Sequence, residues 1–453
     1  MKLFYHLCLF LTIIFFIFIK FNGDKMSKFI KSTFILLIGG FITKIIGMFV
    51  RIIMSRKLGS DGMGIYSLMM PTFSLLISLS QFGFPISISK LISEKKRNNI
   101  KLMFSVLPIS IVINTILIIF MFIFSKPISI HLLHEETCYL GLICMGLTLP
   151  FISMSSILRG YFFGKEQMIP HVLSNIVEDV VRMFLLYFGI PYFLRLGMDK
   201  CMAFMIMTNV ISESISIIVL LLFLPKKIKI KNPLYYANKN DIKDIISIGT
   251  TSTSSRIIGN IGYFLEPIIL TSLLLYSGYN KNYIINEYGI INGFVMPLLL
   301  LPSFFTSAIS HALLPSVSYS YSNGMIKSVK KKLKQSILIS LLVGIPATCL
   351  FILFPDKLLQ FIYNTTNGSN YVRFLAFPFI LHYIQAPISA TLQAMGKMNH
   401  LLIGTIIGII IKLLALSIFS LLHISLYGLL ISTICSITFT TLFDYYHLHK
   451  YLK

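Results

Sequence analysis

Gly40-Phe41-Ile42-Thr43-Lys44-Ile45-Ile46-Gly47-Met48-Phe49-Val50-Arg51 lies inside an apolar run from about residue 30 to 54. An α-helix needs roughly 20 such residues to cross about 30 Å of hydrocarbon. Within the run Gly40, Lys44, Gly47 and Arg51 recur at i, i+4, i+7 and i+11, one narrow stripe of a helix with 3.6 residues per turn. A cation at mid-membrane costs about 2.5–3.5 kcal/mol on insertion scales, so a face carrying two of them is predicted to look at protein or water. Snorkelling of both side chains, or a structural ion pair, is the competing reading.

The same kind of apolar run recurs along the chain. Of 453 residues 56% are hydrophobic and 12% charged, with a mean hydropathy of +0.83. An ordinary soluble domain has about 25% charged residues, so a soluble globular protein is excluded. Spans are predicted at 30–54, 65–91, 102–125, 138–159, 168–190, 201–224, 242–276, 287–321, 333–354, 371–395, 401–422 and 425–448, twelve in all. The fold class is therefore all-α, a polytopic membrane protein. The seventh and eighth windows are longer than a bilayer requires, which predicts tilt, projection into water, or kinks near Pro267, Pro297 and Pro302. The six cysteines form no CxxC pair and indicate neither a disulfide framework nor a zinc site.

The net charge of +23 follows the loops and is not gathered on one solvent face beside stacking aromatics, so no nucleic-acid partner is expected. With the residues before Ser32 inside, the inner segments carry 22 Lys and Arg and the outer ones 7, the largest groups being Lys226 to Lys243 and Lys327 to Lys334. That asymmetry predicts a multi-pass plasma-membrane protein with both termini of the twelve-span unit cytoplasmic and its basic loops near anionic lipid heads. Residues 1–25 hold a further apolar run without a small-residue cleavage site. They are either an extra span or an extension upstream of a true start at Met26.

Weak internal echoes share one order. Lys44-Ile45-Ile46-Gly47 matches Arg256-Ile257-Ile258-Gly259; Gly64-Ile65-Tyr66 matches Gly289-Ile290-Ile291; Gly164-Lys165 matches Gly396-Lys397. They predict two parallel six-helix repeats, 26–224 and 242–453, joined by a basic linker at 225–241, with a substrate site between them. Spans one, two, seven and eight are its expected wall. They carry the stripes Gly40/Lys44/Gly47/Arg51, Ser74/Ser78/Gln81/Pro85, Ser252/Arg256/Gly259/Tyr263 with Glu266, and Ser303/Ser307/Ser310. The substrate-binding candidates are Lys44, Arg51, Arg256, Gln81, Ser78 and Glu266, although Ser and Gly stripes also serve simple helix packing. Spans three and nine are nearly all apolar and are expected to face lipid. Glu178 and Arg182 have the spacing of an intrahelical ion pair, whereas Lys412 has no partner that spacing identifies. His311 and His382 stand alone on apolar helices, and a proton-coupling role for them is the weaker reading.

Two blocks carry a family resemblance. Thr43-Lys44-Ile45-Ile46-Gly47, Arg51-Ile52, Arg56-Lys57-Leu58-Gly59, Gly62-Met63-Gly64-Ile65-Tyr66 and Gln81-Phe82-Gly83-Phe84-Pro85-Ile86-Ser87-Ile88-Ser89-Lys90-Leu91 form the first. Tyr288-Gly289-Ile290-Ile291-Asn292-Gly293, Leu301-Pro302 and Leu313-Leu314-Pro315-Ser316-Val317-Ser318 form the second. They resemble the polysaccharide flippases of the stage V sporulation protein B type, within the multidrug/oligosaccharidyl-lipid/polysaccharide exporters. The resemblance implies two six-helix lobes around a central cavity, alternating access, and a lipid-linked glycan of the undecaprenyl-pyrophosphate type as substrate. It also implies cell-wall synthesis enzymes as partners and a link to spore cortex peptidoglycan. Many members have fourteen helices, and the lipid II flippases place arginines in helices two and eight, where this chain has Ser74 and Met296-Pro297.

Pyrophosphate needs cations or helix N-termini in a wet cavity, and Lys44, Arg51 and Arg256 supply three cations. No covalent chemistry and no cofactor are expected, so the chain is read as a non-enzyme; coupling to an ion gradient or the membrane potential stays open. The alternatives are an ion-coupled exporter of drugs or organic cations, for which Glu266 is the best acidic candidate, a membrane glycosyltransferase or polymerase, and a non-transporting scaffold.

Overall fold

The computed structural model describes residues 28–94, 98–225 and 239–452. The N-terminal segment 1–25 with Met26, most of the basic linker, Lys95 to Arg97 and the side chains of Ser252 and His311 lie outside the described residues.

Sixteen α-helices follow in chain order among the described residues. They are α1 (Lys28–Gln81), α2 (Phe84–Ser93), α3 (Asn99–Pro127), α4 (Cys138–Gly164), α5 (Met168–Leu196), α6 (Met198–Leu222), α7 (Lys239–Tyr276) and α8 (Lys281–Ile290). The rest are α9 (Met296–Leu299), α10 (Ser303–Ser322), α11 (Ile326–Leu353), α12 (Pro355–Tyr363), α13 (Ser369–Ala376), α14 (Phe379–Ala394), α15 (Met398–Leu421) and α16 (Tyr427–Leu452). Among the described residues eight helices are long and apolar enough to cross a membrane, or ten when each of two bent pairs counts as one span. The twelve spans of the sequence reading are reached by dividing α1 at Gly59, whose φ of 68° interrupts the helix, and by adding α5, which carries Glu178, Asp179 and Arg182.

The predicted kink in the eighth span is present as a 52° bend between Leu299 and Ser303, beside Pro302. Pro267, by contrast, lies inside a continuous α7. A second bend of 51°, between Ala376 and Phe379, had no forewarning in the long apolar run, although Pro378 stands at it. The helices expected to face lipid carry exposed apolar side chains: α3 exposes Ile111, Ile116, Ile119 and Ile123, and α11 exposes Leu338, Leu342 and Leu353.

The placement of the apolar cores matters most for function. At one end, one continuous core draws on both halves of the chain: Met63, Leu68, Leu142 and Met202 pack with Leu274, Tyr288, Phe294, Leu375 and Leu429. At the opposite end the cores are separate. Phe84, Leu102, Phe162 and Leu220, joined by Ile245 of α7, form one; Leu313, Val329, Leu392 and Leu448 form the other. The two halves are thus sealed together at one end and parted at the other, apart from α7, which packs there on the first half.

Candidate functional site

The first half of α1 shows why its polar stripe exists. Ile42 and Ile46 pack with Met183, Ile176 and Val180 of α5. The stripe Gly40, Lys44, Gly47 and Arg51 is offset from that apolar face by two residues, about 200° around a helix, and so points away from α5. A Cβ added at Gly40 or Gly47 would meet nothing within 4 Å, so the stripe borders open space. Gly259, the repeat partner of Gly47, is open in the same sense.

Across this space the four expected wall spans touch in a symmetric pattern. Lys44 donates to the Ser307 hydroxyl at 2.7 Å, joining spans one and eight. Arg256 donates to Gln81 Oε1 at 3.4 Å, and the Asn260 amide donates to Ser78 Oγ and to the Ser74 carbonyl, joining spans seven and two. Exchanging the repeats turns one pair of spans into the other. Gln81 is half-buried and Ser78 buried. Five of the six candidates are therefore brought to the junction of the halves: Lys44, Arg51, Arg256, Gln81 and Ser78.

Arg51 lies deeper, toward the sealed end. Its Nη2 donates to the Asn292 carbonyl of the other half, while its Nε is buried with no hydrogen-bond partner. Tyr66, Tyr263 and Tyr363 all lie within its electrostatic reach. The remaining candidate, Glu266, does not face open space: it is buried and paired with Lys412 of α15 at 2.5 Å. That contact also answers where Lys412 points, which its spacing in the sequence left open.

The partner of Glu213 is Arg159, which the sequence reading counted with an inner loop. It lies within α4, five residues before the end of that helix, and meets Glu178 at 2.5 Å and Glu213 at 3.4 Å. Glu178 in turn holds Arg182 at 2.6 Å, the expected intrahelical pair. The turn signal at Gly164-Lys165 would have placed Arg159 within the helix. Arg159→Met leaves two buried carboxylates facing each other, a defect of about 3–5 kcal/mol for a broken buried pair. We expect poor accumulation in membranes and a clearly lower Tm in detergent, with Arg159→Lys intermediate; an unchanged Tm for the Met variant contradicts this.

The sealed end is closed by close backbone approach and by polar bonds. A Cβ at Gly289 would stand 2.0 Å from the Ser60 carbonyl oxygen, and one at Gly64 would stand 2.1 Å from that of Ile285. These echoed glycines thus cross each other where the repeats meet. Asn286 donates to Ser60 Oγ at 2.8 Å, Ser55 donates to the Gly293 carbonyl at 3.0 Å, and Lys281 pairs with Glu135 at 2.8 Å. In the loop before α4, His134 Nε2 lies 3.1 Å from Ser272 Oγ.

Burial, then the positive neighbours His131 and Lys281, hold the His134 pKa below its ordinary 6.5. Burial opposes the Glu135 carboxylate, but hydrogen bonds from Lys281 and Thr137 outweigh it and hold its pKa below 4.5. Both pKa values are depressed in the sealed state, so their stabilisation is present at higher pH and lost on acidification. For His134 the loss begins as pH falls through about 6.5; for Glu135 it begins only below about 4.5. Lowering pH from about 7.5 to 5 is therefore expected to raise the fraction open at this end, measured as a label-to-label distance, and His134→Gln should remove the response. A wild-type distance distribution that ignores this range contradicts the assignment.

A family model described as "Polysaccharide biosynthesis protein" matches residues 29–321, and one described as MatE matches 267–418. Stage V sporulation protein B of Bacillus subtilis (strain 168) is 32% identical over 396 residues, covering 85% of this chain and 76% of that protein. Among solved structures, the inward-facing conformation of a multidrug resistance MATE family transporter of the MOP superfamily superposes with a TM-score of 0.72. The identity is 15%, over 90% of this chain and 94% of the other. The lipid II flippase MurJ in its inward closed conformation superposes with a TM-score of 0.69 at 16% identity, over 91% of this chain and 87% of that one. At such identities these structures speak to the fold alone. The family model, which spans well over half of the sequence, and the relative at 32% identity place the chain in the polysaccharide biosynthesis protein family, as a polytopic all-α membrane protein.

Proposed function

We propose that the chain flips a lipid-linked glycan of the undecaprenyl-pyrophosphate type across the plasma membrane by alternating access between the repeats 26–224 and 242–453, with 225–241 as the basic linker. The observation that carries this reading is a pair of repeat-related cations, Lys44 and Arg256, bordering open space between halves that are sealed at one end. An anionic headgroup entering that space would displace the Lys44–Ser307 and Arg256–Gln81 contacts and gain two charge-assisted bonds in their place. Ser78 and Gln81 offer neutral bonds beside it, and Arg51 waits at the apex with a buried unused donor. The apolar tail remains in lipid. The Glu266–Lys412 pair argues against the drug-exporter alternative, because it occupies the acidic residue that reading relied on.

The loop charges orient the parted end toward the cytoplasm, with both termini inside and anionic lipids around the basic loops. Cell-wall synthesis enzymes supply and consume the substrate, and spore cortex is the wall it serves. Single cysteines placed between Lys226 and Lys243 or between Lys327 and Lys334 are expected to stay unlabelled by an impermeant thiol reagent in intact cells. Labelling at both sites reverses the orientation. The function itself is tested in proteoliposomes, where labelled lipid-linked precursor should become accessible on the far leaflet faster than in empty vesicles. Equal rates overturn it, and export of organic cations without precursor movement favours the alternative.

A further inference from the structure

A cavity of about 330 Å³ lies at the sealed end, on the opposite side of the Arg51 apex from the central space. It is lined from the first half by Arg56 and Ser60, beside the break at Gly59, and from the second half by Phe294, Tyr363, Thr365 and Asn367. Its size is at the small end of ligand sites. Hydroxyls and an amide supply donors and acceptors of the kind a polyol needs, while Phe294 and Tyr363, buried in the core and packed on each other, form its rigid apolar floor. Arg56 adds a fixed charge. Its Nε and Nη2 donate at 2.7 Å to the carbonyls of Ile362 and Phe361, which locks the guanidinium plane and leaves Nη1 for an anion.

We propose that this cavity is a second subsite, for an acidic sugar, and that filling it holds the sealed end shut. The second half of the statement follows from construction: each half of the chain contributes part of the lining, so separation at this end takes the site apart. A ligand that binds one of two states shifts the equilibrium toward it by its differential affinity. The inference rests on the flippase reading for its physiological meaning, which is that a headgroup accumulating at the release side slows further export.

The test uses the full chain in nanodiscs, titrated with N-acetylmuramic acid, neutral N-acetylglucosamine and inorganic phosphate. Binding is followed by saturation-transfer NMR, and closure by the distance between spin labels on Lys200→Cys and Lys357→Cys. The acidic sugar should bind about tenfold or more tightly than the neutral one, as a charge-assisted contact implies, and should shift the label distances toward the sealed distribution. Asn367→Ala and Arg56→Gln should each weaken it about tenfold, the former without touching the Arg56 bonds that help close this end, while Lys327→Gln, an exposed position at the opposite end, leaves binding unchanged. No binding of the acidic sugar, binding indifferent to both pocket variants, or phosphate binding as tightly as the acidic sugar overturns the subsite. Translocation of lipid-linked precursor in proteoliposomes without added sugar separates the two claims. If it proceeds while the sugar fails to bind, only the subsite falls; if the sugar binds and nothing is translocated, the subsite stands and the flippase reading falls.

Discussion

Arg51→Ala is expected to cut translocation of lipid-linked substrate by roughly 10–150-fold at equal membrane levels. The magnitude is that of one charge-assisted hydrogen bond to an anion, about 1.5–3 kcal/mol. Arg51 is the cation best placed to meet a headgroup at the far limit of the space, because the halves close immediately beyond it. Its Nη2 already reaches Asn292 of the second half, and its Nε is buried with nothing to donate to. A phosphate oxygen would satisfy that donor. Arg51→Lys keeps the charge but loses the planar fork, so partial activity is expected; Arg51→Glu repels the headgroup and should be the worst of the three. An alanine variant that folds, inserts and transports like the wild type leaves Arg51 with the Asn292 contact alone, and removes the apex from the mechanism.

How far the sequence reveals this site depends on whether its signals are local. The stripe on the first span is local, since helical periodicity alone sets Gly40, Lys44, Gly47 and Arg51 against Ile42 and Ile46, and the structure turns the two faces as periodicity requires. That spans one, two, seven and eight meet was also legible, because repeats impose symmetry and symmetry puts equivalent helices on either side of one axis. Partner identity was not. Glu266 looked available because no residue near it in sequence neutralises it, yet Lys412 reaches it from a helix more than a hundred residues later. Arg159 was misplaced because a lone cation near a span end resembles a loop charge, whereas its two carboxylates lie on other helices. The break between the first two spans was legible too: the residues from Arg56 to Asp61 read as a loop by polarity, and Gly59, at a φ of 68°, is where the helix is interrupted.

Gly64→Val should hold the sealed end open. In a helix a glycine usually costs stability, so Gly64 and Gly289 need a reason to be there, and the reason is distance. Any Cβ at Gly64 would stand 2.1 Å from the Ile285 carbonyl oxygen, and any at Gly289 would stand 2.0 Å from that of Ser60 and 2.5 Å from the Gly64 nitrogen. These are backbone atoms, which cannot swing aside as a flexible side chain would. Relief requires α1 and α8 to separate, and their separation also strains the Ser55–Gly293 and Asn286–Ser60 bonds nearby. An overpacked contact costs about 1–3 kcal/mol, enough to shift a two-state equilibrium about 5–150-fold away from sealing. The two cores at the parted end do not involve the α1–α8 crossing, so the variant should still insert. Labels on Lys200→Cys and Lys357→Cys should then report longer distances, and transport should fall because one of the two alternating states is depopulated. The reverse substitution pattern sharpens the test: Gly47→Ala and Gly259→Ala, whose Cβ atoms meet open space, should leave the distance distribution as it was. Wild-type distances in Gly64→Val, or equal shifts in all of these variants, would show that the crossing glycines do not govern closure.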